Sequence, residues 1–132
     1  MYMKIITKFA AIFIFSFAIF SFAASIKKYT YVDGSNNVYS LTQDSLDYDP
    51  ISPNQSSSGE YSGGEPKTVK ITTEQFAKLE TIILALSKDK KSHEKTRQMG
   101  FGTLEVGKKI IYINSSSTLK SDLEKELKLC LQ

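Results

Sequence analysis

The chain has 132 residues, 17 of them basic and 14 acidic, with one histidine and one cysteine. A lone cysteine excludes an intramolecular disulfide framework, and one histidine with one distant cysteine argues against a transition-metal site. The basic excess sits at the beginning: residues 1–23 carry Lys4 and Lys8 and no acid, so without them 15 basic residues face 14 acids and the formal charge falls from +3 to +1. A chain so near neutrality has neither the electrostatic footprint for nucleic acid nor a polybasic patch for anionic membranes.

Taken in order, the first segment follows the grammar of an export signal. Lys4 and Lys8 precede an apolar stretch from Phe9 to Phe20, and small residues follow at Ser21, Ala23 and Ala24. The signal peptidase requires small side chains one and three residues before the cut. Ser21 and Ala23 fit those slots, which predicts cleavage after Ala23. A membrane-spanning helix needs about 20 apolar residues, whereas Phe9–Ala24 is 16 residues with two serines. The expected product is one domain, residues 24–132, periplasmic or secreted and not held at a membrane.

Lys28–Val32 and Val38–Thr42 are rich in aromatic and β-branched residues and flank Asp33-Gly34-Ser35-Asn36-Asn37, which predicts a β-hairpin with a loop of about five residues. A third short strand at Ser45–Tyr48 places Leu46 and Tyr48 on one face. Asp44, Asp47 and Asp49 then line the other, as a solvated edge that discourages aggregation. Residues 50–66 contain no apolar run and read as a long loop, uncommon in a small domain unless functional or disordered.

Within that loop, Ser58, Gly59, Glu60, Tyr61, Ser62, Gly63 and Gly64 set one tyrosine among small residues. Tyrosine offers a large rigid contact surface at low entropic cost, and small neighbours allow close approach. These seven residues are candidate partner-binding residues; the competing reading is a flexible linker. Ser58-Gly59-Glu60-Tyr61 also resembles, one residue short, the Ser-Gly-x-x-Tyr motif of bacterial periplasmic lysozyme inhibitors. The resemblance covers four positions. It implies a small exported protein that blocks an enzyme through a loop, and an all-β fold.

Lys67–Ile71 reads as a brief strand entering a helix over Thr73–Asp89. Thr72 and Gln75 form a capping box, and Phe76, Leu79, Ile82, Ile83 and Leu86 share one face. Lys90–Gln98 is compatible with a helix continuation, a second short helix or a loop. It contains His93, whose competing readings are a solvated surface histidine and a catalytic base. It also contains Arg97, the only arginine, suited to an ion pair with an acid of the long loop or to a partner contact. Met99–Val106 and Lys109–Ile113 predict a second hairpin turning at Gly107-Lys108. A last helix over Thr118–Leu131 carries Leu119, Leu123, Leu127, Cys130 and Leu131 on its apolar face and Lys120 and Glu124 toward its polar side. Cys130 is expected to be a buried inert thiol, with an intermolecular disulfide as the other reading.

The predicted fold is α+β: an antiparallel sheet of four to five strands with two amphipathic helices packed on one face, in the order β-β-(β)-α-β-β-α. No cofactor, metal ion or catalytic constellation is expected. The functional expectation is a small exported binding protein, an inhibitor or immunity protein acting on a cell-wall enzyme or toxin through the loop and Arg97. The alternatives are a structural or envelope-assembly subunit and, behind it, a small hydrolase using His93.

Overall fold

A computed structural model describes residues 27–132; the expected export signal and its cleavage point lie outside them. Seven antiparallel strands form one sheet: β1 (Tyr29–Val32), β2 (Val38–Leu41), β3 (Ser45–Asp49), β4 (Lys67–Lys70), β5 (His93–Glu94), β6 (Gly102–Val106) and β7 (Lys109–Ile113). Their spatial order is β4-β3-β2-β1-β6-β7-β5. Two helices, α1 (Thr73–Lys88) and α2 (Thr118–Cys130), complete the fold. Seven strands replace the expected four to five. The brief strand expected at Lys67–Ile71 is present as Lys67–Lys70 and joins the same sheet by pairing along its length with β3, and β5, which was not expected, pairs with β7. Two residues are too few to show any periodicity, so only pairing reveals β5. The α+β fold also departs from the all-β architecture implied by the loop resemblance.

Alternation along the strands builds the core. Tyr29 and Tyr31 of β1, Tyr39 and Leu41 of β2, Leu46 of β3, Leu104 of β6 and Ile111 and Ile113 of β7 are buried in register on one face. Phe76, Leu79, Ile83 and Leu86 of α1 and Leu123 and Leu127 of α2 pack into the same cluster. The opposite face carries Thr30, Ser40, Asp47, Thr68 and Glu105 side by side across five strands. One packed and one solvated face is the usual arrangement of an antiparallel sheet. Asp47 and Asp49 are exposed as expected, but β4 covers β3, so they do not mark a sheet edge. The real edge at β4 is blunted by Lys67 and Lys70.

The capping box of α1 is present: Thr72 Oγ1 accepts from Gln75 N at 3.1 Å, and Gln75 Oε1 accepts from Thr72 N at 2.8 Å. Ser117 caps α2, accepting from Lys120 N at 3.2 Å. The Ser117 hydroxyl also shares a 3.0 Å hydrogen bond with Ser92, just before β5. This polar latch ties the edge strand to the helix.

Two core tyrosines and a partly buried one reach from the sheet to the elements around it. Tyr29 donates to Glu80 of α1 at 2.7 Å, Tyr31 to Glu124 of α2 at 2.6 Å, and Tyr48 to the Gly63 carbonyl of the long loop at 2.6 Å. Lys120, expected on the polar side of α2, is instead 8 % exposed, its ammonium 2.9 Å from Glu124. A buried lysine persists only when paired; here its partner is held in turn by a buried tyrosine. Burial, and after it the neighbouring Glu80 carboxylate, pushes the Tyr29 hydroxyl up to about 12. Burial foremost, then Glu124, pushes Tyr31 further in the same direction; burial, then Asp33, does so for Tyr39.

Leu104 is fully buried at the centre of the sheet, so Leu104→Ala is expected to cost about 2–5 kcal/mol in urea unfolding. Core phenols with raised folded-state values hold their protons more tightly when folded. Their stabilisation is therefore complete below the ordinary tyrosine value of about 10. It is lost as pH rises through the folded values, about 12 at Tyr29. Alkaline titration should show tyrosinate absorbance rising together with loss of far-ultraviolet circular dichroism, both above about pH 10. Free titration of these phenols at about pH 10 in an intact fold would contradict this.

Candidate functional site

The long loop is not a slack linker. It leaves β3 through Pro50 and Ile51, both buried, makes a short 3-10 turn at Pro53–Gln55, and returns past Tyr61 to β4. Its main tether is Asn37, the last residue of the β1–β2 turn, only 4 % exposed. Asn37 Oδ1 accepts from the Ile51 amide at 3.1 Å, and its Nδ2 donates to Asp33 Oδ2 at 3.0 Å and to the Tyr61 hydroxyl at 3.2 Å. Gly63 N donates to the Ile51 carbonyl at 3.1 Å, closing the loop on itself. The Tyr48 hydroxyl holds the Gly63 carbonyl. A Cβ on Gly63 would press on the Asn37 side chain and lie 2.7 Å from Pro50 Cβ. This position therefore demands glycine for space, with no need of a positive φ.

Two turns face the loop. Asp33–Asn37 is closed by Asp33 Oδ1, which accepts from the Ser35 and Asn37 amides at 2.9 and 3.0 Å, and Asn36 takes φ 69°. Asparagine tolerates this left-handed conformation better than most residues. The second turn is closed by Phe101 N donating to the Gln98 carbonyl at 3.1 Å, with Gly100 at φ 84°, the conformation a type II turn requires at its third residue. The expected strand over Met99–Val106 therefore begins only at Gly102, because Gln98–Phe101 turns instead. Met99 projects from the turn with 99 % of its surface exposed. The two turns abut so closely that a Cβ on Gly34 would lie 2.8 Å from the Gly100 carbonyl oxygen.

Loop and turns enclose an open cleft of about 640 Å³. Ser58, Tyr61 and Arg97 all line it, with Met99 and Asn36. The arginine does not make the expected ion pair with a loop acid: its guanidinium donates to the Asn36 side-chain oxygen. Ser62 and Gly63 face a second cleft on the other side of Tyr61. Gly59, Glu60 and Gly64 are exposed and line neither cleft; Gly59 and Gly64 have φ of 71° and 101° and shape the loop. Asn37 and Met99 were not singled out from sequence. Met99 carried one signal: a lone apolar residue before a glycine in a polar stretch.

His93 is not a solvated surface residue. It is half-buried in β5, with Nε2 2.6 Å from the Leu86 carbonyl of α1, away from the cleft. Cys130 is half-buried, packed beside the core. Burial, then Glu126, pushes its thiol up against the opposing effect of Lys78, which disfavours the reactive thiolate. Among the described residues no cluster of three or more metal-ligating side chains occurs, and no helix is long and apolar enough to cross a membrane. No protein-family model, curated protein or solved structure matches the chain.

Asn37→Ala should unpin the loop. It leaves the buried Ile51 amide unpaired, at an expected cost of about 1–3 kcal/mol in urea unfolding. A nonspecific protease should then nick residues 52–62 faster than in the wild type. Unchanged stability and cutting would show that the loop is held by other means.

Proposed function

We propose that the protein is a small exported binding protein that engages a protein partner outside the cytoplasm, as an inhibitor or immunity protein acting on a cell-wall enzyme or toxin. The observation that carries this reading is the convergence of Ser58, Tyr61 and Arg97 around one cleft whose loop is tied to buried Asn37. Tyr61 is 42 % exposed although its hydroxyl is fixed, and Met99 stands free on the opposite lip. Tyrosine, arginine and methionine are the side chains enriched in interfaces. A tethered loop loses less freedom on binding than a slack one, so more of its contact energy appears as affinity.

A second reading, a subunit of an envelope assembly, draws on the uncovered sheet face. Val32, Val38 and Tyr112 are half-buried there, and Ile110 is exposed. In that case the partner would be a scaffold component or a second copy.

The test is a pull-down from envelope and culture extracts on the immobilised protein. One stoichiometric partner, a wall hydrolase or a toxin, is expected. Tyr61→Ala and Met99→Ala should each weaken it by about tenfold or more, while Glu105→Ala on the open sheet face leaves binding unchanged. Full binding by a Tyr61→Ala/Met99→Ala/Arg97→Ala triple variant would overturn the loop assignment. Capture of the protein's own copies, lost on Ile110→Asp, would favour assembly.

A further inference from the structure

The second cleft, of about 520 Å³, lies between the loop and α2 on the other side of Tyr61. Its floor is made of side chains whose hydrogen-bonding capacity is not spent. Tyr39 is 2 % exposed, and among the described residues its hydroxyl has no hydrogen-bond partner. No buried side-chain polar atom is left orphaned, so this hydroxyl is open to the cleft that Tyr39 lines. The nine-tenths-buried Lys120 ammonium has three N–H donors and gives one, to Glu124 Oε1. Glu124 Oε1 takes both Tyr31 and Lys120, leaving Oε2 as a free acceptor. The Tyr61 hydroxyl accepts from Asn37 and keeps its own proton to donate.

Buried polar groups in a folded protein are ordinarily paired. Four side chains with unspent hydrogen-bonding capacity, two of them buried, converge on one cleft and describe a place prepared for a polar guest. The charges lining it cancel, Lys120 and Lys128 against Asp33 and Glu124, and Asp33 is occupied by its own turn. A bare anion or cation therefore gains no net attraction. A guest whose groups both donate and accept satisfies the phenols, the ammonium and the free carboxylate oxygen together. The walls are the half-exposed ring of Tyr61 and the partly buried ring of Tyr48. Such rings suit the C–H face of a saturated ring.

We infer that this cleft is a saccharide site: Tyr39, Lys120 and Glu124 hydrogen-bond the hydroxyls of one sugar ring, and Tyr61 covers its face. The inference does not depend on the protein partner proposed for the first cleft, because Tyr39 and Lys120 do not line that surface.

The test is an amide-resolved NMR titration of the protein with glucose, galactose and N-acetylglucosamine, with acetate and phosphate run alongside. Saturable shifts are expected for at least one sugar at Asn37, Gly63 and Glu124. Tyr39→Phe, which removes one oxygen and keeps the ring, should weaken binding by about tenfold while the remaining spectrum stays native. Glu124→Gln, which keeps shape and one acceptor, should also weaken it. The absence of saturable shifts with all three sugars would overturn the inference. So would shifts driven by acetate or phosphate in their place, or full sugar affinity in Tyr39→Phe.

Discussion

The arrangement of both clefts depends on one buried amide. Asn37 ends the β1–β2 turn, and its side chain spends both N–H donors and its oxygen on three different segments: Asp33 in its own turn, Ile51 where the loop begins, and Tyr61 at its tip. Ordering a residue costs roughly 1–2 kcal/mol of backbone entropy, and a loop of serine, glycine and acid has little apolar surface to offset that. Its order rests instead on a few buried polar contacts, each more valuable for being shielded from water. Asn37 works because Gly63, which carries no Cβ, leaves room beside its side chain.

The same logic explains why the sheet presents tyrosines to the core where phenylalanines would fill the space. A buried phenol usually finds a partner, and three of the sheet's tyrosines find one, each on a different covering element. Tyr29 specifies α1 through Glu80, Tyr31 specifies α2 through Glu124, and Tyr48 specifies the loop through the Gly63 carbonyl. Apolar packing holds the layers together without direction; these three hydrogen bonds set where each layer sits. Tyr39, flanked by Tyr31 and Tyr48 at centroid distances of 6.1 and 5.0 Å, has no such element above it. Its hydroxyl is left to the cleft between the loop and α2.

Features that write their signal within a few residues were legible in the sequence. The Asp33–Asn37 turn, the Thr72–Gln75 capping box and the apolar stripes of both helices appear where expected. Features set by partners far along the chain were not. β5 is a strand only because Ile113 and Tyr112 lie beside His93 and Glu94. Lys120 is buried because Glu124, itself held by Tyr31 from 93 residues away, receives its charge. For the site, the loop tyrosine and the lone arginine were legible as unusual residues in unusual surroundings, and the fold brings both to one cleft. The residue that holds the loop in place was not legible, because in sequence Asn37 is indistinguishable from any asparagine at the end of a turn.

Tyr61 is common to both clefts. It belongs to the loop, yet its hydroxyl is fixed by buried Asn37. A side chain held at its tip keeps less torsional freedom than one free on a loop, so the orientation of the exposed ring is decided beneath the surface. The loop sequence supplies the side chain and its small neighbours, whereas the position of its hydroxyl is set from the β1–β2 turn through Asn37. Substitutions at residues 56–60 and at Ser62 leave the Asn37–Tyr61 hydrogen bond in place. Changes at Asp33, Asn37 or Gly63 alter the aim of the ring itself, and they do so in both clefts at once.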